Sequence, residues 1–303
     1  MGRDFVEADS DAAALLDMAE SVSGLPLRKF CFDGPLEDLT RTLHLQPALT
    51  AVNLICWQQL GKVLPQFTPS WVGGHSLGEY SALHAAKVLS AEDTIRLVTR
   101  RGELMERESA AHPGGMTAVL GLSIEEVEEL LKQYKGPGIV VVANHNTPQQ
   151  IIISGDQEGL EHFAESCKAA GAKRVKPLKV AGANHSPLVA GAVPDFAAFM
   201  EQIAFQPPQI PLLFNVTAAP ETDPAAIRTI MARQIASRVR WQDAVCRMIE
   251  NGTEVFLELG PGSVLKGMMK KMLPADSTAV YLQADSPELL AKAAAVIQGL
   301  DRI

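Results

Sequence analysis

Positive charge is scarce in this chain of 303 residues. Lys and Arg total 27 against 35 Asp and Glu, a formal net charge of −8, which argues against a general affinity for nucleic acid or an anionic membrane. Cysteine is scarce too. Cys31, Cys56, Cys167 and Cys246 stand far apart with no C-x-x-C pair, so buried or free thiols in a reducing compartment suit them better than a disulfide framework or a zinc site. The cytoplasm is therefore the expected location. No window reaches the ~20 apolar residues a membrane helix needs, and the acidic opening MGRDFVEADS predicts no signal peptide. Met1-Gly2 opens like a myristoylation signal, but Phe5-Val6 occupy the place of its Ser or Thr. Repeats and low-complexity tracts are missing as well. What remains, 47% hydrophobic and 20% charged residues, is the composition of a globular enzyme with a substantial core, built as two domains or as one domain with an insertion.

Residues 1–65 read as helices, with Asp11 to Ser21 and the apolar stretch Gln46 to Leu60 marked out among them. Pro69 to Gly74 reads as a short strand ending in glycines, Leu77 to Ala86 as the helix that follows at once, and Ala91 to Glu108 as a further helix closed by His112-Pro113-Gly114-Gly115. The texture then changes. Strands are expected at Met116 to Leu122, Ile139 to Ala143, Gln150 to Ser154 and Lys173 to Val180. A helix opened by the capping box Ser123-x-x-Glu126 and another over Gln157 to Ala170 lie between them. Strand, helix, strand, strand, helix, strand is the ferredoxin-like order, so residues 115–180 are expected to be an inserted subdomain in a core made of 1–114 and 181–303. Beyond it come helices near Val193 to Ile203, Pro224 to Ile235 and Trp241 to Asn251, and strands at Leu212 to Val216 and Glu254 to Glu258. The turn Leu259-Gly260-Pro261-Gly262 then leads into a helix over Val264 to Met272.

Gly74-His75-Ser76-Leu77-Gly78 is a G-x-S-x-G sequence between a predicted strand and a predicted helix, the context in which the pattern means a nucleophile elbow. Glycines two residues either side of the serine are expected because side chains there would collide. The turn exposes the Ser76 hydroxyl at a helix N-terminus, where the Leu77 amide can meet a developing oxyanion. An N-capping serine in a glycine turn is the structural alternative, and the strand-turn-helix context weighs against it. A serine needs a base. His75 is adjacent but should diverge from Ser76, His84 lies two helical turns on, and His185 follows the last strand of the insertion in Ala183-Asn184-His185-Ser186-Pro187. Position alone makes His185 only a modest favourite.

Five motifs in order, Gly74-His75-Ser76-Leu77-Gly78-Glu79-Tyr80, Arg101-Gly102-x-x-Met105, His185-Ser186-Pro187-Leu188, Arg233-Gln234 before Val239-x-Trp241, and Glu258-Leu259-Gly260-Pro261-Gly262, together resemble the malonyl-CoA:acyl carrier protein transacylase family, which includes discrete acyltransferases of polyketide synthesis. The resemblance covers nearly the whole chain. It implies an α/β-hydrolase-like fold with an inserted ferredoxin-like subdomain, and an [acyl-carrier-protein] S-malonyltransferase of fatty acid or polyketide synthesis. Ser76 would be the nucleophile, His185 its base, oriented by a backbone carbonyl rather than a carboxylate, and Leu77 the oxyanion donor. Arg101 would grip the free carboxylate of the acyl group through a bidentate fork. Successive helix positions point about 100° apart, so one of Arg100 and Arg101 can face a pocket and the other water. Gln234, His75 and Asn184 complete the substrate-binding set. Asn184 departs from the commoner Ser or Phe where room for an α-substituent is set, and Leu77 is the residue type of malonyl-using members. Malonyl-CoA is the expected donor substrate, with no cofactor and no metal, and acyl carrier protein the partner of a monomer.

Two further features bear on the reading. The family's opening apolar strand and Gly-Gln-Gly-Ser-Gln loop, whose glutamine amide is the second oxyanion donor, have no counterpart before Met1-Gly2-Arg3-Asp4. A start site assigned too far downstream is the expected reason. The same feature keeps open a catalytically impaired carrier-protein-binding subunit, and a hydrolase that clears carrier-bound acyl thioesters is the rival within enzymes. Lys266, Lys270 and Lys271, with Arg233, Arg238 and Arg240, gather positive charge near the later motifs. A solvated helix face is expected there, with docking of an acidic carrier protein the alternative. Gly260-Pro261-Gly262 is expected to be a structural turn, and His145 to belong to loop structure.

Overall fold

The computed structural model describes residues 1–273 and 276–300. They divide into two compact units, one built from Met1–Gly102, Gln206–Leu212 and the chain from Met248 onward, the other from Glu103–Phe205 and Leu213–Arg247.

Small and apolar residues at helical spacing shape the start of the first unit: α1 (Arg3–Ala8), α2 (Ser10–Ser23), α3 (Leu27–Phe32), α4 (Leu36–Leu39) and α5 (Thr42–Val63). Asp9 caps α2 by accepting from the amides of Asp11 and Ala12, both at 3.0 Å, and Lys62 of α5 clamps the same carboxylate at 2.8 Å. Leu16, Leu27, Leu54 and Ile55 are buried in one cluster where these helices meet, each contributing about 1.5–3 kcal/mol of transfer free energy. Helix α5 starts earlier than its apolar stretch suggests and carries Pro47 inside it. Residues 1–65 were expected to be helical, but α1, α3 and α4 had no bounds of their own, because six residues or fewer hold too little periodicity to stand out. The strand expected over 69–74 shrinks to β1 (Val72–Gly73), where the Val72 amide donates to the Pro211 carbonyl at 2.9 Å. It feeds α6 (Gly78–Ala85), and α7 (Ala91–Ala111) follows, its residues through Gly102 belonging to this unit.

In the second unit, β2 (Gly115–Leu120), α8 (Ile124–Gln133), β3 (Val140–Thr147), β4 (Gln150–Gly155), α9 (Gln157–Ala169) and β5 (Arg174–Pro177) make an antiparallel sheet in the order β3-β4-β2-β5. That order is the ferredoxin-like one. The capping box is formed: Ser123 Oγ accepts from the Glu126 amide at 3.3 Å while the Glu126 carboxylate accepts from the Ser123 amide at 2.7 Å. Val119, Ile151, Ile153 and Phe163 pack between sheet and helices. Strand β3 outruns its expected end at Ala143, with register shifts between Val142 and Asn144 and between His145 and Thr147. His145 therefore lies in a strand, not a loop. The Val239 carbonyl holds its amide at 2.9 Å, and its Nδ1 lies 3.6 Å from Asp243.

Helix α10 (Ala192–Met200), β6 (Leu212–Leu213), α11 (Pro224–Gln234) and α12 (Trp241–Glu250) follow in sequence. The strand expected over 212–216 is thus two residues long. The chain then returns to the first unit with β7 (Val255–Leu259), α13 (Val264–Met272), β8 (Val280–Ala284) and α14 (Pro287–Leu300). Strands β7 and β8 pair in parallel from Val255–Val280 to Leu259–Ala284, which requires a crossover, supplied by α13. The sequence reading stopped short of β8 and α14. No helix among the described residues is long and apolar enough to cross a membrane.

Candidate active site

The elbow of the first unit is built as its sequence implies, with one correction. Ser76 sits at φ 50°, a left-handed conformation that L-residues avoid, and such strain persists only where the surroundings fix it. The turn closes on itself: the Gly78 amide donates to His75 O at 2.9 Å, Glu79 to Ser76 O at 3.2 Å and Tyr80 to Leu77 O at 3.1 Å. A Cβ at Gly74 would sit 2.0 Å from the Gly78 carbonyl carbon, whereas a Cβ at Gly78 would meet nothing within 4 Å. The two glycines therefore differ. Gly74 is required by the close approach of backbone, and Gly78 is the backbone it approaches. The Leu77 amide, at the head of α6, has no acceptor among the described residues, as an oxyanion donor requires.

Arg101, on α7, is 1% exposed. Its Nη2 donates to Ser76 Oγ at 3.1 Å and its Nη1 to Gln46 Oε1 at 2.9 Å, and its guanidinium lies 5.5 Å from the centroid of the Tyr80 ring. Burial pushes its pKa down, while the neighbouring Tyr80 and Glu79 oppose that shift. An arginine so placed stays charged. Arg100 is half-buried, so the fork at the serine belongs to Arg101. Gln46, Glu79 and Tyr80 are buried around this group, and the sequence reading gave none of them a role. A glutamine inside an apolar stretch was the available signal for Gln46. His75 is half-buried beside Ser76. His84, the other nearby histidine, turns its Nδ1 to the Leu89 carbonyl at 3.2 Å.

In the second unit His185 is also at positive φ, 59°, and is buried. Its amide donates to Ile235 O, and its Nδ1 lies 3.1 Å from Gln234 O. A carbonyl oxygen only accepts, so Nδ1 carries the hydrogen and Nε2 is left with a lone pair. The neighbouring Ser186 locks the segment, its hydroxyl donating to Ala183 O at 2.6 Å and accepting from the Leu188 amide at 3.2 Å. Asn184 is half-buried and donates to Ala181 O at 3.4 Å. Gln234 ends α11 with its side chain buried. Among the described residues no three His, Cys, Asp or Glu come together as metal ligands.

The sequence matches the family model of the acyl transferase domain over residues 1–289. The chain belongs to the acyl transferase domain family. It is 38% identical over 255 residues to the malonyl CoA-acyl carrier protein transacylase of Haemophilus influenzae, covering 84% of this chain and 82% of that one. Among solved structures it is similar to an acyl carrier protein S-malonyltransferase from Vibrio cholerae, with TM-score 0.90, 34% identity, and 97% and 94% of the two chains covered. It is also similar to a malonyl-transacylase solved in complex with its type II polyketide synthase acyl carrier protein, with TM-score 0.91, 35% identity, and 98% and 94% covered. The acyltransferase fold with its ferredoxin-like portion is thereby this chain's own.

The Glu258-Leu259-Gly260-Pro261-Gly262 motif is the remaining element. Glu258 accepts from the Leu265 and Lys266 amides, both at 3.1 Å, and from the Tyr281 hydroxyl at 2.7 Å. One carboxylate thus caps α13 and ties it to β8, and burial raises the Tyr281 pKa. Gly260 sits at φ 108°, and a Cβ there would fall 2.0 Å from Asn53 Oδ1. The turn is structural.

Proposed function

We propose that this protein transfers a malonyl group from CoA to the phosphopantetheine thiol of an acyl carrier protein through an ester on Ser76. His185 Nε2 takes the Ser76 proton as Oγ attacks the thioester carbonyl, and the Leu77 amide holds the resulting oxyanion. The tetrahedral species collapses and expels the CoA thiolate, which takes the proton from His185. The carrier thiol then gives its proton to His185, its sulfur attacks the malonyl ester, and Ser76 leaves with the proton restored. Nothing in this sequence of steps calls on a redox or metal cofactor.

The observation that carries the reading is the 3.1 Å contact between a buried guanidinium and the nucleophile's oxygen. A charge held that close to Oγ suits an acyl group whose carboxylate lies one carbon beyond the reacting carbonyl, as in malonyl, because a longer diacid would carry its charge past the fork. An uncharged acyl group would leave the arginine buried without an anion, which is costly. Gln46 keeps the fork in place, and Asn184, His75 and Gln234 complete the substrate site. Residues 115–180 are read as an inserted ferredoxin-like subdomain of this enzyme.

Incubation with malonyl-CoA followed by intact-mass and peptide mapping tests this. A malonyl adduct on Ser76 that vanishes on addition of holo-carrier protein is expected. No adduct would leave a carrier-binding subunit without chemistry, and release of free malonate at the rate of transfer would make the protein a hydrolase.

A further inference from the structure

His185 holds a conformation that its two main-chain bonds do not by themselves enforce. At φ 59° it is left-handed, and a residue with a side chain stays there only where its surroundings over-determine it. The bonds to Gln234 O and Ile235 O aim its ring and its amide, yet they act on the middle of the segment and not on its ends. Both ends rest on one turn of α7. Upstream, Gly182 sits at φ 77°, and a Cβ there would fall 1.9 Å from Ser109 Oγ, so the backbone lies directly on that helix. Downstream, a Cβ on Gly191 would fall 2.7 Å from Glu108 Oε2. Glu108 and Ser109 are neighbours, so the chain leaves α7 and rejoins it at one place, with His185 in between.

An arginine reinforces the downstream contact. Arg107 is exposed, but its guanidinium donates four hydrogen bonds: Nε and Nη2 to Glu108 Oε1 at 2.9 and 2.7 Å, Nη1 to Asp195 Oδ2 at 2.5 Å, and Nη2 to the Gly191 carbonyl at 3.3 Å. Glu108 is 5% exposed, and a carboxylate so buried is costly without a cation. His112 Nε2 stands 3.9 Å from its Oε2, beyond hydrogen-bond range, so Arg107 supplies the charge. An ordinary surface ion pair is worth little and has no need of a main-chain carbonyl or a buried acid. This one joins α7 to the Gly191 carbonyl and, through Asp195, to the first turn of α10, the two places that close the His185 segment.

We propose that Arg107 and Glu108 are positioning residues for His185: together with the seat of Gly182 on Ser109, they pin both ends of segment 182–191 to the last turn of α7 and so hold the histidine left-handed with Nδ1 on Gln234 O. Their effect passes through the histidine and not through the substrate. This rests on the acyl transfer proposed above. Released at one end, residue 185 can relax to negative φ, which swings its ring off the carbonyl and its Nε2 away from the proton it has to take.

The test is Arg107→Ala in the full chain, with Arg107→Lys as the conservative variant, Glu108→Gln as one that keeps the shape and an acceptor oxygen, and Gly182→Ala as a disturbance of the other end. Ser76 malonylation by malonyl-CoA and transfer to holo-carrier protein are followed across pH, with thermal unfolding alongside. Arg107→Ala is expected to lower kcat about tenfold in both half-reactions, with the KM for malonyl-CoA held within about twofold and the acid limb of the pH profile displaced to lower pH. The sign follows from the Nδ1–H bond to the carbonyl, which favours the imidazolium, so losing it disfavours the protonated ring. Gly182→Ala should move the limb the same way and Glu108→Gln less far. Arg107→Lys should recover part of the loss, because an ammonium can still meet Glu108 but cannot fork to the Gly191 carbonyl as well. An unchanged kcat overturns the proposal, as does a loss with the acid limb in place, which would make the clamp a matter of stability alone. If Arg107→Ala does not fold, Glu108→Gln and Gly182→Ala decide by the same limb. Absence of Ser76 malonylation in the unsubstituted protein would strike the acyl transfer itself, an outcome separable from all of these.

Discussion

In the first unit Ser76 is held by side chains: Arg101 on its hydroxyl, Gln46 behind the arginine, and Tyr80 beneath it. In the second, His185 is held by main chain, its amide on Ile235 O and its ring on Gln234 O. Both residues sit at positive φ, 50° and 59°, so both halves accept backbone strain to aim one functional atom. The contrast is in what keeps that aim. Side-chain tethers are vulnerable to single substitutions, whereas a carbonyl acceptor survives any replacement that leaves the helix end in place. Selectivity for the free carboxylate of the acyl group should accordingly reside in the first unit.

The sharpest way to break this comparison is to remove the reacting groups themselves. Ser76→Ala and His185→Ala are each expected to lower transfer by about 10⁴-fold or more, and the double variant by little more than either, because groups acting as one unit are strongly non-additive. Rapid-quench rates with radiolabelled malonyl-CoA check this, and additive losses would mean that the two residues work separately. Next, Arg101→Ala should cut kcat/KM for malonyl transfer by about 10²-fold, the worth of one or two charge-assisted hydrogen bonds, and should cut acetyl transfer far less. Equal losses for both acyl groups would make the arginine structural.

A smaller effect is expected at Gln46. Gln46→Leu removes the acceptor behind Arg101 and should cost about tenfold in malonyl kcat/KM, about 1.4 kcal/mol, with Gln46→Glu restoring part of it as a carboxylate acceptor. Steady-state kinetics with malonyl-CoA decide the matter. The smallest change should come from Gln234→Leu, because the Gln234 carbonyl that holds His185 Nδ1 is main chain and is kept by the substitution. Its kcat should fall less than about tenfold, with the acid limb of the pH profile unmoved. A fall as deep as that of His185→Ala would place the tether in the Gln234 side chain and erase the contrast between the units.

Much of this was legible beforehand, and for local reasons. The elbow is a run of five residues whose glycines, serine and following helix lie next to one another in the chain, and the ferredoxin-like portion announces itself by alternating strand and helix periods with a capping box. The short strands were harder to read. β1 and β6 span two residues each, too few for any alternation to register, and β3 continued through Asn144 and His145 because its bulges break the alternating pattern. Gln46 was hidden for another reason: its partner lies 55 positions away, and nothing in the residues around it specifies a long-range acceptor.

The sequence by itself determined which groups are chemically able to react, because a serine between glycines, a histidine and an arginine carry their reactivity in their composition. Only the tertiary structure decided how they are restrained: that Gly74 rather than Gly78 is the sterically obligatory glycine, that Arg101 reaches the serine hydroxyl, and that a carbonyl sets the His185 tautomer. The last two are distances between atoms far apart in the chain, the first is a turn's closure on itself, and all three are set by packing, a property of the folded whole.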